Sequence, residues 1–151
     1  MQDPAGTYKQ DIVVPAGLKL FRVGIDESTI TPSGTDLDVY VYRGGTLVGI
    51  SADGDSNEMV TFADPTAGTY TVYVHGFSTG GGTANFTLYD WQLGSADAGN
   101  MTVPGPAAAT IGGTVPVNLS FTGLVAGTWY LGQVVYNDGS TDLGTTIVNV
   151  K

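Results

Sequence analysis

Asp36-Leu37-Asp38-Val39-Tyr40-Val41-Tyr42 alternates apolar and polar residues, and Arg43-Gly44-Gly45-Thr46 then turns the chain into Leu47-Val48-Gly49-Ile50-Ser51. Successive side chains of a strand point to opposite faces. Leu37, Val39 and Val41 therefore share one face, and Asp36, Asp38, Tyr40 and Tyr42 the other. The Gly-Gly pair supplies the backbone freedom that a tight hairpin needs. A β-hairpin with one core-facing side is predicted here.

The same pattern extends in both directions. Tyr8 to Val14 and Leu18 to Ile25 read as strands separated by Pro15-Ala16-Gly17, and Glu58 to Phe62, Tyr70 to His75 and Ala84 to Leu93 come after the hairpin. The chain of 151 residues holds 23 Gly and 7 Pro, and its longest stretch free of both runs only from Thr83 to Leu93. No helix of average length fits between such breakers. Seven to eight short strands before Gly94 predict an all-β fold, an antiparallel β-sandwich of jelly-roll or immunoglobulin-like type.

Beyond Gly94 the texture changes. Ser95 to Asn100 reads as a small-residue linker, and Pro104, Gly105, Pro106, Gly112, Gly113 and Pro116 interrupt the next twenty residues or so. Strands are expected at Val117 to Thr122, Thr128 to Asn137 and Thr145 to Val150. Two modules result: a sandwich over residues 1–93 and a smaller additional β segment over 94–151. Ala-Gly-Thr recurs at Ala5, Ala67 and Ala126, and the last two lead to Tyr70 and Tyr130 near the start of a strand. That spacing predicts tyrosine corners, in which the phenol bonds back to upstream backbone.

Charge narrows the partners. The formal net charge is −9, and residues 44 to 150 contain eight carboxylates and no Lys or Arg. Phosphate backbones and anionic lipids both require clustered cations. Nucleic acid and acidic membranes are therefore excluded as expected partners. There is no Cys, and no apolar run approaches the ~20 residues of a membrane span. Met1-Gln2-Asp3-Pro4 lacks the basic and apolar regions of a signal peptide, so the chain reads as a mature or excised segment.

Taken together, Asp36 to Tyr42, the adjoining Gly45-Thr46-Leu47-Val48, and Asp64-Pro65-Thr66-Ala67-Gly68-Thr69-Tyr70-Thr71-Val72-Tyr73-Val74 resemble the bacterial pre-peptidase C-terminal domain over roughly residues 6 to 93. The resemblance implies a non-catalytic β-sandwich attached to a secreted protease. Gly123 to Gly132 is similar to the immunoglobulin or fibronectin III-like C-terminal tails of some subtilisin-like serine proteases. It implies a protease catalytic domain in the same polypeptide and an extracellular location.

Catalytic chemistry finds no recognisable motif. His75 is the single His; Gly76-Phe77-Ser78-Thr79-Gly80 has the Gly-x-Ser-x-Gly spelling but runs into the Gly-rich loop Ser78 to Gly82, where a nucleophile elbow needs a helix, and neither phosphate-binding Gly loops nor zinc spacings are present. No cofactor is expected, and calcium is the one ligand with a case, because it takes about 6 to 8 hard oxygens. Asp53, Asp55, Asn57 and Glu58 crowd one loop, and Asp36 and Asp38 form a second group to which Asp26 and Glu27 add; some relatives of the resembled family bind calcium. The alternative is that Asp36 and Asp38 solvate a strand face and the loop makes Asx-turns. An EF-hand is rejected, since its required Gly is replaced by Glu58.

If the strands at Asp36, Tyr70 and Ala84 are neighbours, Tyr40, Tyr42, Tyr73, His75, Tyr89 and Trp91 form an aromatic stripe on one sheet. Such a stripe suits an extended polypeptide or a glycan; alternatively residues 94–151 cover it. The expected function is that of a non-catalytic C-terminal accessory region of a secreted bacterial subtilisin-like serine protease, aiding substrate binding, stability or secretion. The alternative is a stand-alone extracellular adhesion module for carbohydrate or matrix protein.

Overall fold

A computed structural model describes residues 6–106 and 108–151. The Ala5 copy of the repeated tripeptide lies outside them. The chain divides into two compact units, Met1–Ser95 and Ala96–Lys151, two residues beyond the boundary expected from the sequence.

The described residues of the first unit form seven antiparallel strands: β1 (Thr7–Val14), β2 (Leu20–Gly24), β3 (Asp36–Arg43), β4 (Thr46–Ser51), β5 (Met59–Ala63), β6 (Gly68–Ser78) and β7 (Tyr89–Leu93). They form a four-stranded sheet, β1-β6-β3-β4, and a three-stranded sheet, β5-β2-β7. Between the sheets lie Ile12 and Val14 of β1, Phe21 and Val23 of β2, Leu37, Val39 and Val41 of β3, and Tyr70, Val72 and Val74 of β6. In β1, β3 and β6 this is the period-two reading made three-dimensional, alternate apolar residues leaving water at about 25 cal/mol per Å² of apolar surface, while β2 is buried throughout.

The last strand departs from expectation. Only Tyr89–Leu93 is strand, and it pairs with β2, not with β6. Both edges of β6 are already taken, since β1 pairs with it from Gly68 to His75 and β3 covers the other side. Gly80 and Gly81 adopt positive φ angles of 65° and 82° in the loop that redirects the chain to the second sheet. Ala84, Phe86 and Leu88 then pack on the core without regular pairing.

The described residues of the second unit form four strands in two ladders, β8 (Met101–Thr102) with β9 (Ser120–Phe121) and β10 (Tyr130–Asn137) with β11 (Asp142–Val150). The strand expected over Val117 to Thr122 shrinks to two residues, and β8 forms just past the expected linker. Among the described residues from Val103 to Leu119 there is no strand, in keeping with the Pro and Gly interruptions. Both tyrosine corners form. Tyr70 Oη donates to Thr66 O at 3.0 Å, and Tyr130 Oη accepts from Val125 N at 3.1 Å.

Candidate functional site

The outer face of the four-stranded sheet is built by cross-strand register. Tyr73 of β6 stands between Lys9 of β1 and Tyr40 of β3, and Tyr40 in turn stands beside Ile50 of β4. The next row is Asp11, Thr71, Tyr42 and Leu47, and on the other side Thr7, His75 and Asp38 align. Tyr42 meets Tyr73 edge to face at 5.5 Å, Tyr40 meets His75 at 6.4 Å, and Lys9 Nζ sits 5.9 Å from the Tyr73 ring. Edge-to-face pairs of this kind are held by the ring quadrupoles as well as by burial.

Leu47 and Ile50, 45% and 55% exposed, extend the aromatic row to the sheet edge. A strict period of two puts residues three apart on opposite faces. The register instead slips between Val41 and Tyr42, leaving Val48 as the extra residue of a bulge, so Leu47 and Ile50 lie on the same side. No signal in the alternation of β4 announces that slip.

Tyr89 and Trp91 do not join the row. They stack on each other at 5.6 Å on the three-stranded sheet, where Trp91 is opposite Arg22 and Tyr89 opposite Gly24. The six-residue stripe is thereby corrected to Tyr40, Tyr42, Tyr73 and His75 on one sheet and a Tyr89–Trp91 pair on the other. Arg22 is buried there, its Nε donating to Thr61 Oγ1 at 2.7 Å, and burial lowers its pKa.

The acidic candidates separate into three groups. Asp53, Asp55 and Glu58 place carboxylate oxygens within 4.8 Å of one another. Glu58 is fully buried and accepts from Asp53 N at 3.1 Å and from Ser51 Oγ. Asp36 joins this group electrostatically: burial first, then Asp38, Asp53 and Asp55, raise its pKa. Its Oδ1 is buried without a hydrogen-bond partner, the kind of oxygen a bound cation would satisfy. Asp38, 4% exposed, turns instead to Tyr40 Oη, which donates at 3.3 Å, and to His75 Nδ1 at 3.5 Å. Burial and then Asp38 raise the Tyr40 pKa. Asn57 faces the opposite way, accepting from Glu27 N at 3.1 Å and donating to Glu27 Oε2 at 3.2 Å. Asx-turns also form, with Asp55 N on Asp53 Oδ1 and Asn57 N on Asp55 Oδ1. Asp26 caps the 3₁₀ turn over Glu27–Thr29, its side chain accepting from Ser28 N.

His75 has Asp38 and the Tyr40 ring as neighbours, and among the described residues no serine hydroxyl is bonded to it. An acyl-transfer triad needs that hydroxyl at the imidazole. The face thus presents half-buried aromatic rings, two exposed aliphatic side chains and a lysine at its margin.

The family model of the bacterial pre-peptidase C-terminal domain matches residues 12–76, from within β1 to near the end of β6. Comparison with curated proteins returned no match.

Proposed function

With residues 12–76 a bacterial pre-peptidase C-terminal domain, we propose that the chain is the non-catalytic accessory region of a secreted bacterial subtilisin-like serine protease and that it holds polymeric substrate against the enzyme. The family is one of accessory domains of secreted proteases, and no helix among the described residues is long and apolar enough to cross a membrane. The observation that carries substrate engagement is the row Tyr73, Tyr40 and Ile50 with Tyr42 and Leu47 beside it. Tyrosines offer large, stiff contact area at low entropic cost, which fits an extended chain lying across strands.

The reading is tested by retention of the 151-residue chain on insoluble collagen, elastin, cellulose and chitin, beside Tyr40→Ala and Tyr73→Ala variants. Retention on a protein polymer that each variant weakens supports it. Retention on a polysaccharide alone favours the stand-alone adhesion module, and no retention on any of them contradicts substrate engagement.

Calcium is a second part of the proposal. Asp53, Asp55 and Glu58 supply three close carboxylates and Asp36 an unpartnered buried oxygen, a hard-oxygen set that fits Ca²⁺. Its role there is to neutralise the mutual repulsion of these acids and brace the β4–β5 loop.

A further inference from the structure

A cleft of about 420 Å³ opens where the turn before β6 meets β4 and β5, lined by the apolar Val48, Phe62 and Tyr70 together with Arg43, Asp64 and Thr66. Its two charges are not equivalent. Asp64 is paired with Lys19, whose Nζ lies 3.1 Å from Oδ1 at an exposed site, and its backbone, at φ 42° in the left-handed region, bonds from its N to Lys19 O. Strain of that kind is kept only where surrounding contacts enforce it. Arg43 has no carboxylate partner among the described residues, although the chain carries 14 acids against 5 Lys and Arg. One of its five N–H donors is committed, Nη2 to Ala67 O at 2.9 Å, the guanidinium lies 5.9 Å from the Tyr70 ring centre, and Nε is buried without an acceptor.

A guanidinium fixed against an aromatic ring, with donors to spare, beside an apolar wall, is a receptor for a planar anion carrying an apolar substituent. The volume admits one or two amino-acid residues. We propose that this cleft binds the C-terminal carboxylate of a peptide, with the last side chain against Val48 and Phe62. The inference rests on the accessory-domain reading for its biological source, since every cut by an endopeptidase creates a new C-terminal carboxylate. It needs neither the polymer nor the parent enzyme to be tested, so the two succeed or fail separately.

The test is an amide-shift NMR titration of the 151-residue chain with an acetylated Val-Leu dipeptide acid, its C-terminal amide, and glucuronate. The expected result is shifts at Thr66, Ala67 and Gly68 with the acid, and binding about tenfold or more weaker for the amide. Arg43→Gln abolishes the discrimination between acid and amide. Because Arg43 also anchors Ala67, Val48→Trp serves as a second variant that fills the cleft and leaves the guanidinium in place; it is expected to abolish binding of the acid. Equal binding of acid and amide, tighter binding of glucuronate, no shifts with the acid, or binding untouched by Val48→Trp would each overturn the proposal.

Discussion

Tyr70 does three things at once. Its ring packs on Phe21 at 5.1 Å and on Phe62 at 5.3 Å, its hydroxyl closes the corner onto Thr66 O, and its face carries the Arg43 guanidinium. Tyr70→Phe keeps the ring and deletes the hydroxyl, so denaturant unfolding is expected to register a loss of about 1 kcal/mol. Tyr130→Phe removes a bond of the opposite sense at an exposed site and is expected to cost less. Asp36 gives a pH signature. Its folded pKa lies above the ordinary 3.8, so above that folded value ionisation penalises the native state, and stability is recovered as pH falls toward the ordinary value. In calcium-free buffer, Asp36→Asn is therefore expected to melt higher than the parent chain near neutrality, with the gap closing on acidification. A gap that widens on acidification contradicts the assignment.

Strands β1, β3 and β6 were legible because each sends alternate apolar residues into one core, and the hairpin at Asp36 to Ser51 adds its turn chemistry. Tyr40, Tyr42, Tyr73 and His75 were legible for the same reason. Strand pairing was not: nothing in Tyr89 to Leu93 says that its partner is β2, because pairing is decided by which sheet edge remains free. The β4 bulge was equally hidden, and with it Leu47 and Ile50. A physical trace of the β4–β5 approach does exist in Gly49, where a Cβ would stand 2.5 Å from Val60 Cγ1 and 2.9 Å from Phe62 Cζ. Gly49→Ala is expected to destabilise by about 1–3 kcal/mol in chemical denaturation. Gly54→Ala, in the next loop with nothing within 4 Å, is the matched control and is expected to be near neutral. The same loop reports calcium. If Ca²⁺ bridges Asp53, Asp55 and Glu58, a hundredfold excess over Kd adds about 2.7 kcal/mol to unfolding. Asp53→Asn together with Asp55→Asn is expected to remove that increment, and a melting temperature indifferent to Ca²⁺ and EDTA contradicts the site.

At the scale of the whole molecule, the two units differ in how much apolar surface they remove from water. The first has a continuous core drawn from both sheets, whereas the buried hydrophobic residues of the second are Val134 and Val148, among the described residues. Glycine and proline spacing already separated them, since before Gly94 those residues mostly bound strands and after it they interrupt them. What spacing could not say is how the aromatic side chains are shared between the two sheets, which the strand register supplies. The decisive measurement uses the full-length protease that the proposal assigns to this region. Its rates on an insoluble protein polymer and on a small soluble peptide are compared for the parent and for Tyr40→Ala combined with Tyr73→Ala, after melting curves show both folded. Loss of polymer hydrolysis with kcat/KM on the small peptide unchanged is the expected result, because binding is lost and chemistry is not. Equal rates on the polymer, or an equal fall on both substrates, would contradict a substrate-holding face.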